Sequence, residues 1–199
     1  MGTTISNSKT MRQLIILFLF FFLLGACNRQ KEKTVSNDSQ IKAEQDIVLK
    51  REVLGVTLGE TSKDSALLQM KQLGYNMDQI DRDIFVYNNP IRFGEQMWDF
   101  MSLITYQNKV RKIQFVKIVN DMESFYNDYD MLSSVLKSKY HPLIAYEDTA
   151  SVKSSISFID NLTSLNLQLD IIGEQPAMTL TYDDVKLDDK YNQESYNEL

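Results

Sequence analysis

The sequence predicts an α+β fold, an antiparallel sheet meander with two helices packed on one face, and three observations carry that prediction. Between residues 152 and 182 apolar and polar side chains alternate with a period of two, the mark of strands with one dry and one wet face. Two other stretches repeat their apolar residues three and four apart, as helices do. The predicted order is strand, helix, three strands, helix, four strands. That order reads as two pseudo-repeats, each a helix followed by an antiparallel meander, with the helices covering one face of the sheet.

The first helix opens at Thr61-Ser62-Lys63-Asp64, with Thr61 as N-cap and Asp64 at the N3 position. Ala66, Leu67, Met70 and Leu73 then share one face. Gly74 supplies the left-handed residue that ends the helix, and Tyr75 folds back onto the last turn. An acidic turn leads into a short strand at 83–87, and a hairpin is expected at 96–107 and 110–119, joined near Asn108-Lys109. The second helix runs from about Met122 to Lys139. Met122, Phe125, Tyr129, Leu132 and Leu136 form its apolar face, Asn120 or Asp121 caps it, and Pro142 enforces the stop.

The last strands are the clearest. Val152, Ser154, Ile156 and Phe158 alternate with Lys153, Ser155 and Ser157. After a turn at Asp160-Asn161, Leu165, Leu167, Leu169 and Ile171 alternate with Asn166, Gln168 and Asp170. A second turn at Gly173 to Pro176 precedes Met178, Leu180 and Tyr182, spaced by Thr179 and Thr181.

The first thirty residues follow a different logic. Residues 1–13 are polar and carry Lys9 and Arg12 with no acid, residues 14–24 are eleven unbroken apolar side chains, and Leu24-Gly25-Ala26-Cys27 follows. A basic start, a short apolar run and small residues at a cleavage point make a secretory signal peptide. Crossing a bilayer takes about 20 apolar residues, and the run falls short, which leaves an uncleaved anchor as the alternative. Leu24-Gly25-Ala26-Cys27 resembles the lipobox of bacterial lipoproteins. The resemblance implies cleavage before Cys27, a diacylglyceryl group on its thiol and an acyl group on its new amino terminus. Two or three chains give lasting attachment where one gives only a marginal hold, at about 0.8 kcal/mol per buried CH₂. Met1-Gly2-Thr3-Thr4-Ile5-Ser6 also matches an N-myristoylation pattern, but it stands ahead of an export signal that excludes it. Met11 offers a second start that still leaves a complete signal peptide.

The expected organisation is a signal peptide at 1–26, a lipid anchor and flexible linker at 27–46, one α+β domain at 47–183 and an acidic disordered tail at 184–199. Losing residues 1–26 removes two basic residues and no acid, so the net charge moves from −6 to −8. Such a chain lacks the basic patch that nucleic acid requires. Cys27 is the single cysteine, so no intramolecular disulfide and no thiolate metal site is expected, and no cofactor is expected either.

The stretch Leu54-Gly55-Val56-Thr57-Leu58-Gly59-Glu60-Thr61-Ser62, running into the first helix, resembles the opening of small envelope lipoproteins of the outer-membrane assembly type. The helix-then-strands order is similar to the β-lactamase inhibitor protein fold. The glycine-proline step that follows the first helix in the assembly lipoproteins is absent here, so no functional residue is carried over.

Residues with chemistry are sparse. His141 is the only histidine and is expected at a helix end, where a cation favours the dipole. Asp78, Asp81 and Asp83, or Asp128 and Asp130, could form the carboxylate pair of a glycosidase, and the first three also mimic part of a calcium loop without its glycine and distal glutamate. Asp64-Ser65-Ala66 and Asp148-Thr149-Ala150 resemble a short O-glycosylation pattern of Gram-negative envelope proteins. Aromatic residues concentrate between 85 and 106, and of these Tyr87, Phe93 and Trp98 are the candidate partner contacts, with burial in the core as the other reading. The expected function is a non-enzymatic binding or assembly module on the cell membrane or outer membrane, its domain in the periplasm or at the cell surface, with an envelope protein or glycan as partner. A carboxylate-based glycan-acting enzyme and an inhibitor of an envelope enzyme are the alternatives.

Overall fold

The computed structural model describes residues 47–119, 122–150, 153–172 and 175–197. Cys27 and the whole of 1–46, the caps expected at Asn120 and Asp121, Val152 and Gly173 lie outside those residues. A short pair, β1 (Glu52–Val53) and β2 (Val56–Thr57), turns through Leu54 and Gly55, both at positive φ. α1 (Lys63–Gln72) follows. Its N-cap is Ser62, one residue later than the pattern placed it, because the Ser62 hydroxyl accepts from the Ser65 N–H at 3.3 Å. Thr61 turns back instead, its hydroxyl accepting from the Thr57 N–H at 2.8 Å. The far end follows the glycine: Gly74 sits at φ 82°, its N–H donates to the Lys71 carbonyl and the Tyr75 N–H to that of Met70, which closes the last turn.

The chain then forms β3 (Met77–Asp81), β4 (Ile84–Tyr87), β5 (Ile91–Phe93), β6 (Gln96–Trp98), β7 (Phe100–Tyr106) and β8 (Lys109–Ile118). α2 (Met122–Tyr140) and a single 3₁₀ turn (His141–Leu143) lead to β9 (Ile144–Ala150), β10 (Lys153–Ile159), β11 (Thr163–Ile172) and β12 (Gln175–Asp184), and α3 (Val185–Asn197) ends the described chain. Eight strands build one antiparallel sheet in the order β3-β4-β7-β8-β12-β11-β10-β9. Each meander therefore starts at an edge and ends in the middle, where β8 pairs with β12.

One face of this sheet is the core. Phe85, Leu103, Ile113, Tyr182, Leu165 and Phe158 stand opposite one another along one row, and all are buried. Tyr87, Met101, Phe115, Leu180, Leu167 and Ile156 form the next row. Ala66 and Met70 of α1 and Tyr129, Leu132, Leu136 and Tyr140 of α2 belong to the same apolar cluster. At about 1.5–3 kcal/mol for each large apolar side chain fully withdrawn from water, this cluster is the main source of stability.

Three parts of the architecture depart from the sequence reading. Residues 77–81, read as a solvated acidic turn, form the edge strand β3. The long strand expected at 96–107 breaks at Asp99. Its first part pairs with β5 in a separate two-stranded sheet, turning through Gly94 and Glu95 at positive φ, and only 100–106 joins β8. Residues 185–197, expected as a disordered tail, form α3, because Asp184 caps it by accepting from the Leu187 N–H at 2.9 Å.

Candidate functional site

The aromatic residues expected at a partner surface are inside. Tyr87 and Trp98 are each 1% exposed. Phe93 is half-buried and stacks on Phe115 with ring centroids 4.5 Å apart and planes 4° from parallel. The Trp98 ring lies 5.7 Å from the same Phe115, and its Nε1 donates to the Phe93 carbonyl at 3.0 Å. The β5–β6 hairpin thus folds over the dry face as a lid on the core. Aromatic crowding on both faces of this stretch comes from that second layer. Trp98 is in the core, while Phe100 and Ile104 point to the opposite side of the large sheet.

The carboxylates singled out in the sequence brace turns and strand ends. Asp78 accepts from the Asn88 amide, Asp83 from the Thr105 hydroxyl at 3.0 Å, and Asp81 from the Arg82 N–H at 2.6 Å. Asp128 pairs with Lys117 at 2.6 Å. Asp130 is exposed on α2 and His141 is exposed in the turn after it. Among the described residues no group of three or more His, Cys, Asp or Glu side chains is placed to hold a metal ion.

The feature that stands apart is the second face of the eight-stranded sheet. Asp78, Val86, Ser102, Gln114, Thr181, Asn166, Ser157 and Tyr146 follow one another across all eight strands in register. Phe100, Val116, Thr179, Gln168, Ser155 and Asp148 form the neighbouring row. The face has two halves. β4, β7 and β8 contribute Ile84, Val86, Ile104, Phe100 and Val116, mostly apolar and half-buried. β10, β11 and β12 contribute hydroxyls and amides, some already bonded to one another: Gln114 Nε2 to Thr181 Oγ1 at 3.4 Å and Ser157 Oγ to Asn166 Oδ1 at 3.2 Å. Period-two alternation forces this division between faces, since neighbouring residues of a strand point to opposite sides.

Both ends of the face have structure. At one end Asn88, Pro90, Asp99, Phe100 and Ile118 line a hollow of about 320 Å³. At the other, α3 packs beside β8 and β12. Asp188 pairs with the buried Arg111 at 2.7 Å, Tyr191 lies under the same guanidinium at 4.0 Å, and the Tyr106 hydroxyl donates to Glu194. Between them Lys112 and Asp183 pair at 3.0 Å. Burial raises the Asp183 carboxyl above its usual range, and the Lys112 ammonium pulls it back down. The arrangement combines flat apolar area with neutral hydrogen-bonding groups, as the cores of protein interfaces do.

The polar members of this face were visible in the sequence as the wet side of the alternation, but alternation alone does not separate a solvated face from a binding one. No helix among the described residues is long and apolar enough to cross a membrane. No family model, curated protein or solved structure matches the chain.

Proposed function

We propose that the chain is a bacterial envelope lipoprotein, anchored through lipid on Cys27, whose folded domain is a non-enzymatic binding or assembly module. The observation that carries this reading is the open face of the sheet, eight strands wide and half-buried, with the apolar core on the opposite side. A tethered domain with such a face needs no chemistry of its own to recruit a partner. The same reading takes the two halves as pseudo-repeats, α1 with β3, β4, β7 and β8 against α2 with β9 to β12, both helices lying on the core side. Their last strands meet at β8 and β12, so the open face spans both halves.

The test is photo-crosslinking in the native envelope with full-length protein. A cross-linking residue replaces Gln114 or Gln168 on the open face, or the exposed Ser134 of α2 as control. Specific adducts from the two face positions and none from Ser134, lost in a Cys27→Ala background, are the expected result. Equal labelling from all three positions would sink the assignment of the face. Absence of palmitate incorporation at Cys27 would sink the anchor.

A further inference from the structure

We propose that the outer edge of β3, together with the groove between it and α1, docks an extended segment of another protein whose residues alternate between basic and apolar, added to the sheet as a further strand. This surface borders the open face and shares Asp78 with it.

β3 is the end strand of the sheet, so the backbone groups on its outer side face away from β4. A row of such groups is a template for another strand unless something covers it. Nothing shields it among the described residues: Ile80 is 69% exposed, Met77 and Asp78 are exposed, and on the neighbouring α1 Leu68 is 57% exposed. Beside the strand, Leu67, Leu68, Lys71, Tyr75, Met77 and Tyr87 line a groove of about 410 Å³. Tyr87 is nine-tenths buried and more, and its hydroxyl has no hydrogen-bond partner among the described residues. A buried phenol left without a partner is uncommon, and it marks this end of β4 as loosely satisfied in the free protein.

Register sets the chemistry of the occupant. Met77 pairs with Tyr87 and points to the core side, toward the groove, while Asp78 pairs with Val86 and points to the other side. An added strand follows the same alternation, so one of its side chains enters the groove and the next meets Asp78. The groove is mainly apolar, with Lys71 and Asn76 also in its lining. The other side carries Asp78 and Asp81, while Asp83 just beyond the strand already pairs with Lys63 at 3.6 Å. The fitting sequence therefore places apolar residues inward and lysine or arginine outward. Charge also excludes a second copy of this chain, since antiparallel pairing of β3 with itself brings like carboxylates together. The register break between Gln79 and Asp81, which leaves Ile80 bulged, limits regular pairing to a short stretch and makes the groove the anchor.

The experiment uses full-length protein in detergent and two fluorescent seven-residue peptides, one alternating lysine with leucine and one alternating glutamate with leucine. Anisotropy is expected to show saturable binding of the lysine peptide alone, weakened about tenfold or more by Leu68→Glu. Because Leu68 is exposed, this variant keeps the wild-type unfolding curve. Hydrogen exchange at Met77, Asp78 and Gln79 is expected to slow when the lysine peptide is bound. Equal binding of both peptides, binding unaffected by Leu68→Glu, no saturation, or peptide-independent dimerisation that Leu68→Glu abolishes each overturns the proposal.

Discussion

Asp184 holds Arg51 at 2.9 Å with one carboxylate oxygen and caps α3 with the other. Arg51 also donates to the Leu58 carbonyl at 2.6 Å and pairs with Glu60 at 2.8 Å, so one buried carboxylate ties the first turn of the domain to the base of its last helix. Gly59 packs against this pair: at φ 73°, a Cβ there would lie 2.8 Å from Asp184 Cγ. Breaking a buried pair by removing one partner costs about 3 kcal/mol. Asp184→Asn, which keeps an oxygen for the cap, is expected to lose about that much, and Asp184→Ala about 1 kcal/mol more. Urea unfolding of the three proteins checks the order.

Trp98→Ala removes the indole that closes the β5–β6 hairpin over Phe115, and is expected to cost about 3–5 kcal/mol. A surface contact would leave the unfolding midpoint within a few tenths of wild type. The chain has a single tryptophan, so the fluorescence of the unmodified protein reports on this hairpin directly. Its emission is expected at short wavelength when folded and to shift red in the same transition that melts the helices.

Tyr87→Phe is expected to raise the stability of the free protein by about 1 kcal/mol, since it removes a buried hydroxyl without a partner. The phenol has a second readout. Burial pushes both Tyr87 and Tyr129 up to about 12 from the usual 10.0. The unfolded phenols ionise first, so their contribution is intact below pH 10 and is lost as pH climbs from 10 toward 12. Burial holds the Tyr182 phenol higher still, so absorbance titration is expected to show three tyrosines ionising only as the fold is lost, and two in Tyr87→Phe.

Asp183 gives a slope at the acidic end. Its carboxyl is raised above the usual 3.8, so the folded chain keeps this proton at a pH where the unfolded chain has lost it. The contribution to stability is greatest below 3.8 and falls as pH rises through the folded value. Asp183→Asn removes the slope at the cost of a constant term for the unpaired Lys112. Urea midpoints measured at about pH 3.5 and about pH 7 are expected to move in the variant's favour as pH rises. A gap that stays constant means the carboxyl titrates normally.

Much of the second meander was legible because its strands keep strict alternation: Leu165, Leu167 and Leu169 and their neighbours Asn166, Gln168 and Asp170 divide between faces as the spacing required. Other regions hid for physical reasons. β3 is poor in strand formers, with Asp78 and Asp81 at the sheet edge, and pairing with β4 overrides that local preference. α3 is highly charged and buries little, so its stability comes from contacts distant in sequence, Arg111 to Asp188 and Tyr106 to Glu194. Trp98 and Phe93 stayed open between core and partner surface because their hairpin forms a layer above the sheet, and period-two reasoning does not see layers.

The pin between Arg51 and Asp184 also has a mechanical meaning. Traction on the chain ahead of Ile47 reaches the sheet through the Leu49 N–H on Asp160, at 2.7 Å, and through Arg51 on Asp184. Asp160 stands at the turn into β11, and Asp184 ends β12, two interior strands paired along their whole length. Load therefore enters the middle of the sheet, where two long ladders share it, and bypasses β3 and β9 at the rims.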